Sequence, residues 1–455
     1  MPRRTASITT LGCKLNQYES EQIREQLESL GYEIIDYDEG ADVCVVNSCT
    51  VTGRTDRETR RLARRAQRLN PDAFVVVTGC YAEVCPEDLE AIDEVDVVCS
   101  NADKKRIAEL VPPPDEPEES ERVAERRGRT ITHFSGHTRA FVKVQEGCGA
   151  YCTYCIIPYA RGPSKSTPPE QVLNQCRVLA EAGHPEIILI GTHIGRYGND
   201  LAGDITLAEL TEQIARLPVP RIRISSIEPR EVTDGLIEMI EEGGAALQGD
   251  ADRAAAGKLA RHLHIPMQSG CDSVLERMGR PYDTAFYRDL ILDIKDRQPD
   301  CCIGADVIVG FPGETEEEFQ RTRRFIEDLP LSYLHVFTYS KREGTRAADM
   351  PDHVEHQVRK DRNHILRNIS EQKREPFAQS MIGKRLEVVL QSPIEPEDAA
   401  GEVAEGCVNG ISDTYLQVEV PRGRERIGEL VEVEIIATDG ARLIAAPLEE
   451  TQKRD

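Results

Sequence analysis

Six short apolar runs between residues 136 and 370 constrain this chain more than any other feature. They read "AFVKVQ", "EIILIGT", "RIRISSI", "HLHIPMQ", "IGADVIVGF" and "LSYLHVFTYS". Each is of strand length and most are rich in β-branched or aromatic residues, as buried strands are. Helical stretches such as "PPEQVLNQCRVLAEAG" and "EEEFQRTRRFIEDL" separate most of them. Strand, helix, strand in repetition calls for parallel crossovers, and six units predict an incomplete relative of the (β/α) barrel. Chemistry on that scaffold sits at the C-terminal ends of the strands.

The flanks differ from this centre. "SITTLGC", "DVCVVNSC" and "FVVVTGC" read as buried strands, with helical "ESEQIREQLESLG" and "RETRRLARRAQRLN" between them. They predict a smaller parallel-sheet domain over residues 1–112. "PPPDEPEESERVAERRGR" has no apolar period and marks a linker, residues 113–135. The barrel domain then spans 136–372, with an insertion at 242–260 and a long helix at about 353–380 leading out. Residues 373–450 change to short alternating runs, "RLEVVLQ", "AEGCVNG", "YLQVEV" and "LVEVEIIAT", the pattern of a small antiparallel β-barrel. The predicted class is therefore α/β: an N-terminal parallel sheet, a central partial (β/α)6 barrel and a C-terminal small β-barrel.

No run of about 18 apolar residues suggests a membrane span, and Arg3 and Arg4 are followed by no apolar targeting segment. A cytoplasmic location is expected, where the 14 cysteines stay reduced and clustered thiols point to metal or redox chemistry. With 56 Lys+Arg against 80 Asp+Glu, the net charge of −24 repels polyanions, so a nucleic acid must use a local basic patch.

"EGCGAYCTYC" places Cys148, Cys152 and Cys155 within eight positions, directly after the first barrel strand. Three thiolates hold three irons of a 4Fe-4S cluster and leave the fourth open. A zinc site closed by a distant residue, or plain buried thiols, are the competing readings. Cys13, Cys49 and Cys80 each end an apolar run that a helix follows, so a parallel sheet brings them to one edge as a second triplet. Cys44, Cys85, Cys99, Cys176, Cys271, Cys301, Cys302 and Cys407 lack that context and read as packing cysteines.

These motifs carry a resemblance. "CGAYCTYC", with Tyr154 before its last cysteine, resembles the signature of radical S-adenosylmethionine (SAM) enzymes. "LGCKLNQYES", "VVNSCTVT" and "VVTGCYAE" are similar to the cysteine motifs of the radical SAM methylthiotransferases of MiaB/RimO type. "CTYCIIPYARGPSKS", "GTHIGRYG", "HLHIPMQSG", "VIVGFPGETEEEF" and "HVFTYSKREGT" extend the likeness over nearly the whole chain. The resemblance implies two 4Fe-4S clusters, one on Cys13, Cys49 and Cys80 that supplies sulfur, the other on Cys148, Cys152 and Cys155 that binds SAM. It implies a 5′-deoxyadenosyl radical that removes hydrogen from carbon, sulfur insertion, and a methyl group from a second SAM. It also implies opposed strand ends in the two halves, a C-terminal RNA-binding TRAM domain, a reductant such as flavodoxin or ferredoxin, and a sulfur donor. For SAM contacts, Tyr154, Gly191 and Thr192 are expected, with Gly310 and Gly313 either approaching the adenine or simply forming turns. His193, His262 and His264 read as structural, and Gln268 and Ser269 as hydrogen-bonding groups in the barrel mouth.

The MtaB branch of that family is the nearest in its motifs. It implies methylthiolation at C2 of N6-threonylcarbamoyladenosine at position 37, in the anticodon stem-loop of tRNA. An isopentenyl-adenosine substrate or a ribosomal-protein aspartate are the family alternatives, and an electron carrier without SAM chemistry is the alternative of another class. Seven arginines oppose two acids in "RTDRETRRLARRAQR", where Arg57, Arg61, Arg64 and Arg68 recur at helical spacing. That face suits RNA phosphates, or is simply solvated. Arg161 and Lys165 are expected near loop phosphates. Residues 381–450 carry 15 acids and 6 bases, so RNA would have to use Lys384 and Arg385 with Arg422, Arg424 and Arg426.

Overall fold

The computed structural model describes residues 4–113, 130–247, 258–394 and 406–448. Most of the expected linker and of the expected 242–260 insertion therefore lies outside the described residues. What is described of both belongs to packed elements: Ile131 and Phe134 are fully buried, and helix Asp234–Leu247 runs into the second.

The N-terminal sheet holds five parallel strands in the order β2-β1-β3-β4-β5. They are β1 (Thr5–Thr10), β2 (Glu33–Ile34), β3 (Val43–Ser48), β4 (Phe74–Gly79) and β5 (Val97–Cys99). The two edge strands are too short to read from sequence. β3 is buried along its whole length, as a central parallel strand covered on both faces must be. Helices Lys14–Ser29 and Gly53–Leu69 make two of the crossovers.

The centre carries β6 (Ala140–Lys143), a β7–β8 ribbon (Gln145–Glu146 and Lys165–Ser166), β9 (Glu186–Ile190), β10 (Arg221–Ile224), β11 (His262–His264), β12 (Cys302–Val309) and β13 (Tyr333–Thr338). Parallel pairing runs β6-β9-β10 and β11-β12-β13. Bridges Ile222 to Leu259 and Ser226 to His264 join the two sets. Among the described residues no pairing closes β13 onto β6, so the barrel is partial. Ile187 to Ile190 and the flanking helices form one apolar core that takes in Ile131 and Phe134.

Five strands close the C-terminal barrel, in the order β14-β15-β16-β18-β17. They are β14 (Arg385–Pro393), β15 (Val408–Ser412), β16 (Gln417–Val420), β17 (Leu430–Asp439) and β18 (Arg442–Ala445). Expected as antiparallel throughout, it has one parallel pair, β16 with β18. An odd ring cannot alternate direction all the way round, so one seam must be parallel. Among the described residues no helix is long and apolar enough to cross a membrane.

Candidate active site

Two glycines draw the N-terminal cysteines together. Gly12 precedes Cys13 with φ +93°, and a Cβ on it would lie 2.6 Å from Cys49 Sγ. Gly79 precedes Cys80 with φ +100°, and its Cβ would lie 2.3 Å from the Ser48 carbonyl oxygen. No side chain fits at either place, and the left-handed backbone favours glycine as well. The ends of β1 and β4 thereby close on the end of β3, where Cys49 follows. Asn16 Nδ2 ties this edge by donating to the Leu11 and Ser48 carbonyls at 2.7 and 2.8 Å. Burial, with Cys80 and Cys13 as like-charged neighbours, pushes the Cys49 thiol up to about 11. A metal bound here must displace the thiol proton.

The second triplet follows β7. Gly147, at φ +73°, has no room for a Cβ, which would lie 2.0 Å from the Pro163 carbonyl oxygen. The Cys148 amide donates to Gly162 O at 3.0 Å, and Thr153 N to Met278 O at 2.9 Å. Cys148 Sγ lies 3.3 Å from His193 Nδ1, whose Nε2 faces Glu231 Oε1 at 2.6 Å. Burial opposes a charged imidazole there, but Cys148 and Glu231 outweigh it and raise His193 to about 9. Arg280 Nη1 donates to Cys152 Sγ at 3.1 Å and Nη2 to Glu228. Burial pushes Cys155 up to about 12. All fourteen cysteines are free thiols.

A cavity of about 470 Å³ lies between the halves. Gly12, Cys13, Lys14 and Gln17 line it from the N-terminal domain, and Gly191, Ser225, His264, Asp306 and His335 from the barrel strands. Tyr415 of the C-terminal barrel completes the wall. A smaller cavity of about 220 Å³ has Tyr154, Cys155 and Gln268 in its wall and shares Asp306 and Phe337 with the larger one. Asp306 binds His264 Nε2 at 2.8 Å and lies 3.4 Å from His335 Nδ1, which hold its carboxyl down against the cost of burial. The Tyr333 hydroxyl bonds His262 Nε2 at 2.8 Å and His264 Nδ1 at 3.1 Å.

The expected SAM contacts separate. Tyr154 enters the smaller cavity and Gly191 the larger, while Thr192 Oγ1 is buried without a partner. Gly310 and Gly313 stand in neither wall; both have left-handed φ, and Arg359 fills the space a Gly310 Cβ would need. Gln268 lies in the smaller wall, whereas Ser269 Oγ turns to Thr322 at 3.1 Å. His193, read as structural, lies between Cys148 and Glu231.

Arg161 corrects another expectation. Its side chain is 1 % exposed, bonding Glu19 and Glu146 at 2.8 Å and Asn16 at 2.6 Å, so it faces the domain junction and no RNA. Arg57, Arg61, Arg64 and Arg68 do share an exposed face, beside Arg60 and Glu94. Arg61 pairs with Glu58, while Arg57, Arg64 and Arg68 have no acidic partner among the described residues. Lys384 pairs with Asp300 and Arg385 with Glu432. Glu231, Arg280, Asp306 and Tyr415 carried no sequence signal of their own, because their places depend on how distant segments meet.

Comparison with known proteins agrees with this geometry. Residues 5–100 match the family described as "Uncharacterized protein family UPF0004", and residues 142–326 the radical SAM superfamily. The chain is 40% identical over 444 residues to the threonylcarbamoyladenosine tRNA methylthiotransferase MtaB of Bacillus subtilis, covering 95% of this chain and 94% of that one. It is 35% identical to the MtaB of Aquifex aeolicus, covering 94% and 99%. The tRNA-2-methylthio-N(6)-dimethylallyladenosine synthase of Staphylococcus epidermidis is 31% identical, covering 95% and 82%. Among solved structures, the radical SAM methyltransferase TsrM of Kitasatospora setae shares the fold at TM-score 0.54 and 16% identity, over 76% and 77% of the two chains. Two thiol triplets at facing strand ends, on a chain that matches such relatives from end to end, place the protein in the MiaB-like methylthiotransferase family, which joins a UPF0004 domain to a radical SAM domain.

Proposed function

We propose that the protein methylthiolates C2 of N6-threonylcarbamoyladenosine at position 37 of tRNA. The observation that carries this reading is the cavity with Cys13 on one wall and barrel strand ends on the other. Full-length likeness to two MtaB proteins supports the choice of nucleoside.

The residues fit the groups this reaction needs. Cys13, Cys49 and Cys80 would hold one 4Fe-4S cluster, and Cys148, Cys152 and Cys155 the other; none of them is committed to a disulfide. Tyr154 and Gln268, in the smaller wall beside Cys155, would hold SAM. When bound, these groups supply a carbon radical and a transferable sulfur, which an adenine C2–H needs because it has no acidity for a general base to use.

The chain's own side chains do the rest. Arg280 aims an N–H group at the Cys152 sulfur and His193 sets its ring against that of Cys148; Glu228 and Glu231 hold the two side chains in place, and support of this kind fixes ligands and tunes potential. Arg161 and Arg342 fasten the two halves, the latter through Asp56 at 2.7 Å and the Thr50 hydroxyl at 2.6 Å, one residue past Cys49. Arg57, Arg64 and Arg68 offer phosphate contacts to an RNA stem. An anticodon-loop base is already unpaired, so admitting it costs less than flipping one from a duplex. A reductant such as flavodoxin or ferredoxin, and a sulfur donor, complete the cycle.

Nucleoside mass spectrometry of tRNA from a strain lacking the gene tests the assignment. The methylthio-threonylcarbamoyl nucleoside should vanish and return with the gene. Loss of the methylthio-isopentenyl nucleoside instead would overturn the substrate.

A further inference from the structure

The larger cavity carries one charge without a counter-charge. Of the residues in its wall, only Lys14 and Asp306 bear a full charge, and Asp306 is occupied by His264 and His335. Lys14 Nζ makes no ion pair or hydrogen bond among the described residues. The nearby carboxylate of Glu186 is taken by Arg221 at 2.6 Å, Arg223 at 3.0 Å and Arg139 at 3.3 Å. In the same wall Ser225 Oγ and His262 Nδ1 are buried with no partner. A half-buried ammonium without a counter-charge, in a wall whose Ser225 and His262 each keep a polar atom unpartnered, suits an anionic, hydrogen-bonding ligand, since each group costs free energy while unpaired.

We propose that Lys14 is a specificity-determining residue that pairs with the carboxylate of the threonylcarbamoyl substituent, with Ser225 and His262 taking its hydroxyl and carbamoyl groups. This rests on the nucleoside assigned above and adds the atom that reads it. The wall favours a carboxylate over a backbone phosphate. It holds one free cation among aromatic rings (Tyr333, Phe337, Tyr415), whereas the unpaired arginines lie apart, on helix Gly53–Leu69. An isopentenyl group brings no charge and would leave Lys14 unanswered.

The test uses the full chain with reconstituted clusters and stem-loop RNAs bearing the threonylcarbamoyl nucleoside, its methyl ester, or plain adenosine. Dissociation constants are read by fluorescence anisotropy, with iron content as the check on folding. Wild type should bind the acid about tenfold or more tighter than the ester. Lys14→Met should bind both equally, at the ester's level, and Lys14→Arg should keep a preference for the acid. A Lys14→Met chain that still prefers the acid overturns the proposal. So does one that loses equal affinity for plain adenosine RNA, which would make Lys14 a phosphate contact. If Lys14→Met fails to take up iron, the wild-type comparison decides, and equal binding of acid and ester refutes the idea. A wild type that modifies an isopentenyl-adenosine loop but not the threonylcarbamoyl one refutes the nucleoside assignment instead, whatever Lys14 does.

Discussion

Gly79 shows how much the site asks of single residues. Any side chain there meets the Ser48 carbonyl and must also accept φ +100°. Gly79→Ala should push Cys80 away from Cys49, destabilise the chain by about 1–3 kcal/mol, and lower iron content with the barrel cluster retained. Glu387 offers a pH test away from the clusters. Burial, with Asp413 and Glu432 adding repulsion and Arg221 and Arg261 opposing, pushes its carboxyl up to about 7. The native carboxyl then holds its proton more tightly than the unfolded one, whose value lies near 4.5. Its contribution is full below that value and is lost as pH rises towards 7. Glu387→Gln should therefore melt about 2–4 °C above wild type at pH 8, and no higher at pH 4.5. Cys13, Cys49 and Cys80 were legible because each sits where a strand gives way to a loop or helix, and Cys148, Cys152 and Cys155 because of their close spacing. Arg280 was not, since nothing local distinguishes an arginine facing a sulfur from a solvated one.

Elements tell a similar story. The six strand–helix units were readable because β-branched runs and amphipathic stretches alternate with little ambiguity. Edge strands of two or three residues, such as β2 and β5, leave no period to read, and the parallel seam of the last barrel follows from strand count and closure alone. Strand β10 shows what pattern hides. Its arginines, Arg221 and Arg223, are wholly buried around Glu186 and donate to the Glu387, Ile411, Ser412 and Asp413 carbonyls of the C-terminal barrel. Glu186→Gln leaves two buried guanidiniums short of a counter-charge and should cost about 3–5 kcal/mol, read as a lower urea midpoint. On helix Gly53–Leu69, replacing Arg57, Arg64 and Arg68 with Ala should lower the log-log salt slope of RNA binding by about 2–3. An unchanged slope would make that face merely solvated.

At the scale of the molecule, three domains close on one cavity. The acidic C-terminal barrel holds few free cations, yet it sends Tyr415, in a left-handed turn at φ +62°, to stack on His262 with ring centroids 4.3 Å apart. Its part in the site is thus a wall as well as a surface, which no charge count indicates. Junction contacts at Arg161 and Arg342 bring the N-terminal strand ends to the barrel mouth, and Arg223 ties the C-terminal barrel to the same place; the proposed function needs that closure, because one half would supply sulfur to a carbon activated by the other. The most direct test is to replace Cys13, Cys49 and Cys80 together with Ala and reconstitute the chain. Iron should fall from about eight to about four per chain, SAM should still be cleaved to 5′-deoxyadenosine, and no methylthio nucleoside should form. Undiminished iron, or methylthiolated RNA from that variant, would contradict the account.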